Sequence, residues 1–592
     1  MTFASHSLIR LDDGCRSLID RLAARPRLAA AVLLALALIA YLPGLVALPT
    51  VDRTEVVYAQ MARDMLNSGD YLDAQYQGER FAFRPIGITW MQALSGRVLG
   101  RDAWSDIATY RLPSLLGGML AVLAVFWLSR PLIGARASLI AAGLFAVMPI
   151  VALQAQLSIP EGPLLAAATV AQLTLWRLYC RPSRRQETEL ALLFWAAQGL
   201  GMLINALAVP ILSISTIVAL YVFDRKLSWL KRLHPFSGVP LMLVIAAPWI
   251  LVRMHIDGVP FSTLTWSELL TALGGAQDMK WKAAPLTFTL ALLLGSLPAM
   301  VLLVPGARFL WDHRTGSVQR FLFCWIVGYL VYLELIASKP ALYTVQAMFP
   351  AVAAAAALVL DKSGRLEIPE YTLRLPAWFV GPGMAAVFAG VLIVAGASSN
   401  IVLILGALVV VALFTLSAQT IRSRLAAAWV VTTIICFSAF LGFTFGVLLP
   451  SLKTGWPAAR ISAAVGPLQR CVVGPVGVLG FREPSTTFTF GPNTETDAET
   501  IAARMAGGEE SIAVVEDRWH PDLMRALEFR TATPPPRSGC VKAFNVMRGC
   551  TLHFSIYVTG APQLDRGCKV PPEFTCKREP PATSGPATSR CR

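Results

Sequence analysis

For most of its length the chain alternates long apolar runs with short polar connections. Runs of about 20 apolar residues match the hydrocarbon thickness of a bilayer. They fall at residues 28–48, 108–129, 137–153, 162–180, 189–204, 207–223, 237–253, 285–304, 321–337, 342–360, 376–396, 400–417 and 426–449, which predicts thirteen transmembrane helices. Two stretches break the pattern: residues 49–107 form a polar interruption after the first span, and from residue 450 the apolar runs shorten. Within the interruption Val56, Val57, Met61, Met65 and Leu66 recur near one face, so Thr54–Leu66 reads as an amphipathic helix, and Ile86–Leu99 reads as a second. Both are too short and too polar to span, and are expected to lie at the membrane interface. In the tail, VVGPVGVLGF, TTFTFG, SIAVVED and HFSIYV read as short strands around a helical AETIAARMAGG. The expected organisation is an N-terminal segment 1–27, a membrane domain 28–449, a small α/β domain 450–570 and a Pro-rich end 571–592.

Composition supports this division. The 592 residues are 55% hydrophobic and 15% charged, with a mean hydropathy of +0.58. A soluble globule of this size could not bury that much apolar surface. A net charge of +15 would suggest nucleic acid if it were gathered in a soluble domain, but here the basic residues sit in alternate short loops. Arg130 and Arg136, then Arg177, Arg181, Arg184 and Arg185, then Arg225, Lys226, Lys231 and Arg232 mark one face of the membrane; so do Arg308, Arg314 and Arg320, then Lys362, Arg365 and Arg374, then Arg422 and Arg424. The connections between them are poor in Lys and Arg, as the positive-inside rule requires. Residues 1–27, with five arginines, are then expected in the cytoplasm, and an odd number of spans places the polar interruption and the tail outside. Leu28–Leu48 is long enough to span and no small-residue cleavage site follows, so it reads as an anchor and not as a cleaved signal.

The ten cysteines divide in the same way. Cys15, Cys180, Cys324 and Cys436 are scattered through the apolar part, whereas Cys471, Cys540, Cys550, Cys568, Cys576 and Cys591 crowd the tail. An even, dense set in a polar domain predicts disulfides in an oxidising compartment, and the close CxxC or CxxH pairs of a metal site are lacking.

The polar interruption carries the candidate chemistry. It places Asp52, Glu55, Asp64, Asp70, Asp73 and Glu79 beside Arg53, Arg63, Arg80 and Arg84 between two spans. A loop that only joins two helices needs none of these, so it reads as the floor of an active site. Each residue also has a plainer reading. Asp52 and Glu55 would serve as a charged helix face, and Arg63, Arg84 and Lys339 would snorkel to headgroups. Glu161 after Pro160 would make an ordinary helix start.

The sequence D-R-x-E-x-x-Y-A-x-x-x-R-x-M-L-x-S-G-D-Y from Asp52, followed by Arg84-Pro85 and Trp90, resembles the polyprenyl-phosphate-sugar-dependent membrane glycosyltransferases. These are glycosyltransferase family 39 and its relatives, including protein O-mannosyltransferases and lipid A aminoarabinose transferases. Pro248-Trp249, SKPALYTVQAMFPAVA (338–353), GFREPS (480–485) and AFNVMRG (543–549) extend the resemblance along nearly the whole chain. It implies a GT-C-type fold and an undecaprenyl-phosphate-linked sugar donor in the inner membrane. It also implies an acceptor on the periplasmic side, lipid A or another envelope lipid, with inversion at the anomeric carbon. A base near the nucleophile and fixed positive charge at the leaving phosphate are what such a transfer needs. Matched onto this chain, the catalytic carboxylates are Glu55, Asp52 and Glu161, and the donor phosphate falls to Arg84 and Lys339. Tyr58, Arg63, Asp278, Lys280 and Tyr343 become candidate substrate contacts. Some relatives bind a divalent cation, but no compact oxygen-ligand motif is present here.

Several positions depart from the family pattern. Thr54 stands where the family has Asp, Asn205 where it has Lys, Arg84 where it has Lys, and Leu342 where it has His. A threonine hydroxyl is not a base at neutral pH, and Asp52 is the nearest substitute. These changes keep open a second reading, a non-catalytic relative that binds a polyprenyl-linked sugar or lipid. A third class, a secondary transporter, would call for internal repeats and charged span centres, and the sequence shows neither.

Overall fold

The computed structural model describes residues 2–51, 54–76, 79–80, 86–180, 182–257, 284–336, 342–362, 365–369, 372, 377–394, 400–472, 474–481, 483–491, 494, 496–530, 532–533, 535–545, 549–559 and 569–576. The chain opens with helix α1 (Thr2–Ala24), broken at Arg25, and Pro26 then starts α2 (Pro26–Ala47). Proline suits that first helical position because its missing N–H would have no partner there. The polar interruption folds into α3 (Thr54–Ser68), a two-stranded hairpin of β1 (Gln75–Tyr76) and β2 (Glu79–Arg80), and α4 (Gly87–Leu99). The membrane part continues through α5 (Ile107–Ile133), α6 (Ala135–Ala146), α7 (Pro149–Ala155), α8 (Glu161–Tyr179), α9 (Arg184–Asn205), α10 (Ala208–Asp224) and α11 (Pro235–Asp257). After residue 284 come α12 (Thr287–Gly295), α13 (Leu303–Asp312), α14 (Ser317–Val331) and α15 (Phe349–Leu360), a hairpin of β3 (Asp361–Lys362) and β4 (Arg365–Leu366), then α16 (Ala377–Val394), α17 (Ile401–Arg422) and α18 (Ala426–Phe443).

Among the described residues six helices are long and apolar enough to cross a membrane, or eight if each of two bent pairs counts as one span. The bends are 65° between α6 and α7, and 110° between α12 and the helical stretch Ala299–Asp312. The thirteen expected spans are not reached on this measure, and α8 and α9 show why. Buried Thr169, Gln172 and Thr174 on α8, and Gln198 with the charged start of α9, lower their apolarity. Gln198 Nε2 donates to Ser213 Oγ at 2.7 Å, inside the bundle. A helix shielded by protein can satisfy such groups without facing lipid.

Small residues let helix backbones approach closely. A Cβ on Gly162 of α8 would lie 2.7 Å from the Ser114 carbonyl of α5, and one on Gly117 would lie 2.5 Å from Gly162. The first and last spans meet in the same way: a Cβ on Gly442 would lie 2.9 Å from the Ile39 carbonyl, and one on Gly446 2.5 Å from Pro43. Beside that contact Ile39, Leu42, Val46, Phe443 and Val447 line an apolar groove of ≈ 660 Å³.

The tail folds around a four-stranded sheet of β5 (Val476–Leu479), β6 (Ser511–Glu516), β8 (Cys550–Thr559) and β7 (Arg537–Asn545), in the order β5-β6-β8-β7. β5 and β6 are parallel and the other pairs antiparallel. Strand alternation sends Val476, Val478, Ile512, Val514 and Ile556 to one face, under Ile461, Val465 and Leu468 of α19 (Pro457–Gln469). Leu479, Ala513 and Val515 go to the other face, under α21 (Ala498–Ala506) and α22 (His520–Phe529). TTFTFG, expected as a strand, belongs instead to helix α20 (Pro484–Phe490). Pro484 pre-sets its first turn, and Thr486 and Thr489 turn their hydroxyls back onto the Glu483 and Ser485 carbonyls. Cys540 and Cys576 form a disulfide, Cys471 and Cys550 are also disulfide-bonded, and the four scattered cysteines are free.

Two outcomes follow from this packing. Gly162→Val forces a branched side chain against α5, and thermal unfolding in detergent is expected to show a loss of about 1–3 kcal/mol. In the tail domain His520 contacts the Tyr557 hydroxyl at 2.9 Å, and burial lowers its pKa from 6.5. A depressed histidine contributes stability above its unfolded-state pKa and loses it as pH falls through the folded value. The thermal midpoint of the full chain should therefore drop below about pH 6.5, with a shallower drop in His520→Gln.

Candidate active site

The site is built where the first span ends. The carbonyls of the last turn of α2 have no helical partners, and Arg111, four residues into α5, supplies donors to them. Its Nη1 donates to the Leu45 and Leu48 carbonyls at 3.0 and 2.7 Å, and its Nη2 to that of Pro49 at 3.0 Å. The remaining donors take Glu55 side-on: Nε to Oε1 at 2.8 Å and Nη2 to Oε2 at 3.0 Å. Both side chains are sealed, with 0% of Arg111 and 1% of Glu55 exposed.

Glu55 is filled from its other side as well. The Val51 N–H donates to Oε2 at 2.8 Å and the Ser158 N–H to Oε1 at 2.9 Å. Ser158 in turn accepts from buried Gln92 of α4 at 2.8 Å, and the Ser114 hydroxyl donates to the Ile159 carbonyl at 2.8 Å. One ion pair thus ties together the end of α2, the start of α3, α4, α5 and the connection from α7 to α8. Glu161 follows at once, buried at the first turn of α8.

A carboxylate has about four lone-pair positions, and four donors already occupy those of Glu55. In this arrangement Glu55 is a buried, fully hydrogen-bonded anion that fixes the backbone at Val51. Two of the candidate substrate contacts lie close by. Arg63 donates to the Phe488 carbonyl at 2.9 Å and lies 5.4 Å over the Phe488 ring, so it fastens α20 of the tail domain to α3. The same ring packs edge-on against Tyr110, beside Arg111. Tyr58 packs with Met61 and Ile88 between α3 and α4. Both residues thus join elements around the ion pair. Nearby, Asp64 accepts from Gln60 at 2.7 Å, and burial raises its pKa from the ordinary carboxylate value.

The structure brings Glu55 against the Ser158 N–H, three residues before buried Glu161 in the chain. Asp52, Arg84, Lys339, Asp278 and Lys280 lie outside the described residues. Tyr343 falls in the short helical turn Leu342–Met348, its side chain outside them. Arg111 went unnoticed in the sequence, because an arginine near the start of an apolar span reads as a headgroup anchor. Its one sequence signal was its depth, four residues into a 27-residue helix. Among the described residues no group of three or more His, Cys, Asp or Glu side chains could hold a metal ion.

Breaking one half of a buried pair leaves the other charge uncompensated, at a cost of about 3–5 kcal/mol. Glu55→Gln and Arg111→Leu are each expected to lose that much in thermal unfolding. The apolar pair Glu55→Met/Arg111→Leu should lose clearly less than the two singles together.

Comparison with known proteins places this geometry. The dolichyl-phosphate-mannose-protein mannosyltransferase family profile matches residues 83–252. The undecaprenyl phosphate-alpha-4-amino-4-deoxy-L-arabinose arabinosyl transferase of Aeromonas salmonicida is 28% identical over 341 residues, 55% of this chain and 58% of that one. Transferase 1 of that name from Pseudomonas fluorescens is 26% identical over 303 residues, 50% and 53% of the two chains. The chain thus spans little more than half the length of the curated relatives it matches. The crystal structure of ArnT from Cupriavidus metallidurans bound to undecaprenyl phosphate superposes with a TM-score of 0.68, covering 90% of this chain and 99% of that one at 16% identity. Its apo form gives 0.64 at 17% identity. The chain is a multi-pass membrane protein with the GT-C fold of ArnT, similar in sequence to undecaprenyl phosphate-aminoarabinose arabinosyl transferases.

Proposed function

We propose that the protein is an inverting glycosyltransferase that moves a sugar from an undecaprenyl-phosphate carrier to a lipid acceptor, lipid A above all. It works at the periplasmic face of the bacterial inner membrane. The observation that carries this reading is the fold: ArnT, which covers nearly the same chain, was solved with undecaprenyl phosphate bound. The orientation rests on the basic loops. Arg25 precedes α2 and Arg27 lies in its first turn, and the ion pair closes its opposite end, so the site faces away from the basic, cytoplasmic side. The cysteine-rich domain stands on the site's side, where disulfides are stable.

In this reading the chain divides the work of the site. Arg111 and Glu55 position the loop without touching the reacting atoms. Asp52, one residue beyond the backbone that Glu55 holds, orients or deprotonates the acceptor, and Glu161 is the second carboxylate of the site. Arg84 and Lys339 neutralise the carrier phosphate as it leaves, where fixed positive charge is worth most. A divalent cation, if the reaction uses one, would share that duty.

Thr54 and Asn205 favour a second reading, a relative that binds a lipid-linked sugar without transferring it. One experiment separates the two. Mass spectrometry of lipid A and envelope glycans in a deletion strain should show the loss of a sugar modification, restored by the wild-type gene. Asp52→Asn is expected to fail to restore it at normal protein abundance, whereas Glu55→Gln should fail through reduced abundance. An unchanged profile after deletion would overturn the enzyme reading, and full rescue by Asp52→Asn would remove that carboxylate from the mechanism.

A further inference from the structure

Helix α1 lies outside the site, and its contacts show how it runs. The Ala428 N–H, in the first turn of α18, donates to Asp12 Oδ1 at 2.9 Å. Asp20 pairs with Arg136, in the first turn of α6, at 2.6 Å, and Arg130, in the last turn of α5, donates to the Ala23 carbonyl at 3.4 Å. Arg16, paired with Asp12, also donates to the Leu366 carbonyl of β4 at 3.3 Å. One helix thus crosses the ends of α5, α6 and α18 in turn. Those three helices run through the membrane, so a helix laid across their ends runs along its surface. The face involved is the one that carries the basic loops.

The faces of α1 are sorted to match. Asp12, Cys15, Ile19 and Ala23, spaced by three and four residues, are buried against the bundle. Turning away from them, Leu11 and Leu22 are partly buried and Leu18 is 46% exposed. Beyond these, Arg10, Gly14, Ser17 and Arg21 follow one another at intervals of four, three and four residues, and Arg25 extends the row. Arg10, Arg21 and Arg25 are exposed, as is Arg27 just beyond, and among the described residues no ion pair engages any of them. The exposed carboxylate on this side of the helix is Asp13, since Asp20 is taken by Arg136. An apolar flank leading into a basic row is how an interfacial helix meets the boundary between acyl chains and headgroups.

We propose that α1 is a membrane-surface helix whose Arg10, Arg21 and Arg25 bind anionic phospholipid headgroups, with Leu18 seated among the acyl chains. The ligand is an anionic lipid surface, and the attraction is that of a basic row for a negative leaflet. Asp12 and Asp20 are spent on the bundle and only Asp13 stays exposed, which leaves the row free for lipid. In this way the ends of the first and last spans are held at one depth in the membrane.

The test is hydrogen exchange of residues 7–25 in the full-length protein. It compares nanodiscs of phosphatidylcholine alone with nanodiscs containing phosphatidylglycerol. Exchange should be slower in the anionic discs, and high salt should erase the difference. With each arginine near an anionic surface, attachment weakens about fivefold per arginine removed. Arg10→Gln/Arg21→Gln/Arg25→Gln should therefore exchange alike in both discs, while the corresponding triple lysine variant keeps the contrast. Equal exchange of the wild-type helix in the two lipids would overturn the proposal without any variant. So would an anionic-lipid effect that survives removal of all three arginines.

Discussion

A charge pair removed from water is costly unless every donor and acceptor finds a partner, and the Arg111–Glu55 pair meets that condition. The guanidinium spends its donors on three main-chain carbonyls and two carboxylate oxygens, and the carboxylate takes two further main-chain N–H groups. Its position uses helix electrostatics as well. A cation closes the carbonyl end of α2, and its carboxylate partner sits in the first turn of α3, each where the helix dipole favours it. The polar segment between two spans would otherwise be a loosely tethered loop. With this pair in place it has one anchoring point, and α4, the Ser158 connection and the tail domain are referred to it.

The two faces of the membrane are organised by different means. On the site's face, one sealed ion pair and the Arg63–Phe488 contact connect the polar segment to the bundle and to the sheet domain. On the opposite face the arginines that set orientation also make specific contacts. Arg136 joins Asp20 to Asp361. Arg320 pairs with Asp224, which also accepts from the Tyr179 hydroxyl. Arg232 reaches the carbonyls that end α8. Residues that a hydropathy profile treats as topology signals are thus also caps and ties between helices.

This explains what the sequence disclosed and what it withheld. Apolar length and helical periodicity are local properties, so the membrane domain, α3, α4 and the α/β character of the tail could be read from them. The role of a charged residue depends on partners far away in sequence. Glu55 meets Arg111 and Ser158, 56 and 103 residues away, and Arg63 meets Phe488, 425 residues away. Motif resemblance singled out Glu55 but could not say that its oxygens were already in use. TTFTFG misled for another reason: β-branched threonines favour strands on average, yet here their hydroxyls satisfy the helix backbone locally. The thirteen spans are not all recovered by length and apolarity, because α8 and α9 carry polar residues and three further apolar helices, Ala208–Asp224, Thr344–Leu360 and Pro382–Ile393, are short.

The glycine contacts between α2 and α18 bear on how the protein is made. Gly442 and Gly446 accept the first span where Ile39 and Pro43 would otherwise collide with side chains. α2 therefore packs against a helix that leaves the ribosome much later. Until residue 446 has been inserted, this flank of α2 must be covered by lipid or by an insertion chaperone. Contacts so far apart in sequence form late. A chain interrupted before α18 would carry a complete Arg111–Glu55 pair beside an uncovered α2, a state that quality control in the membrane could recognise.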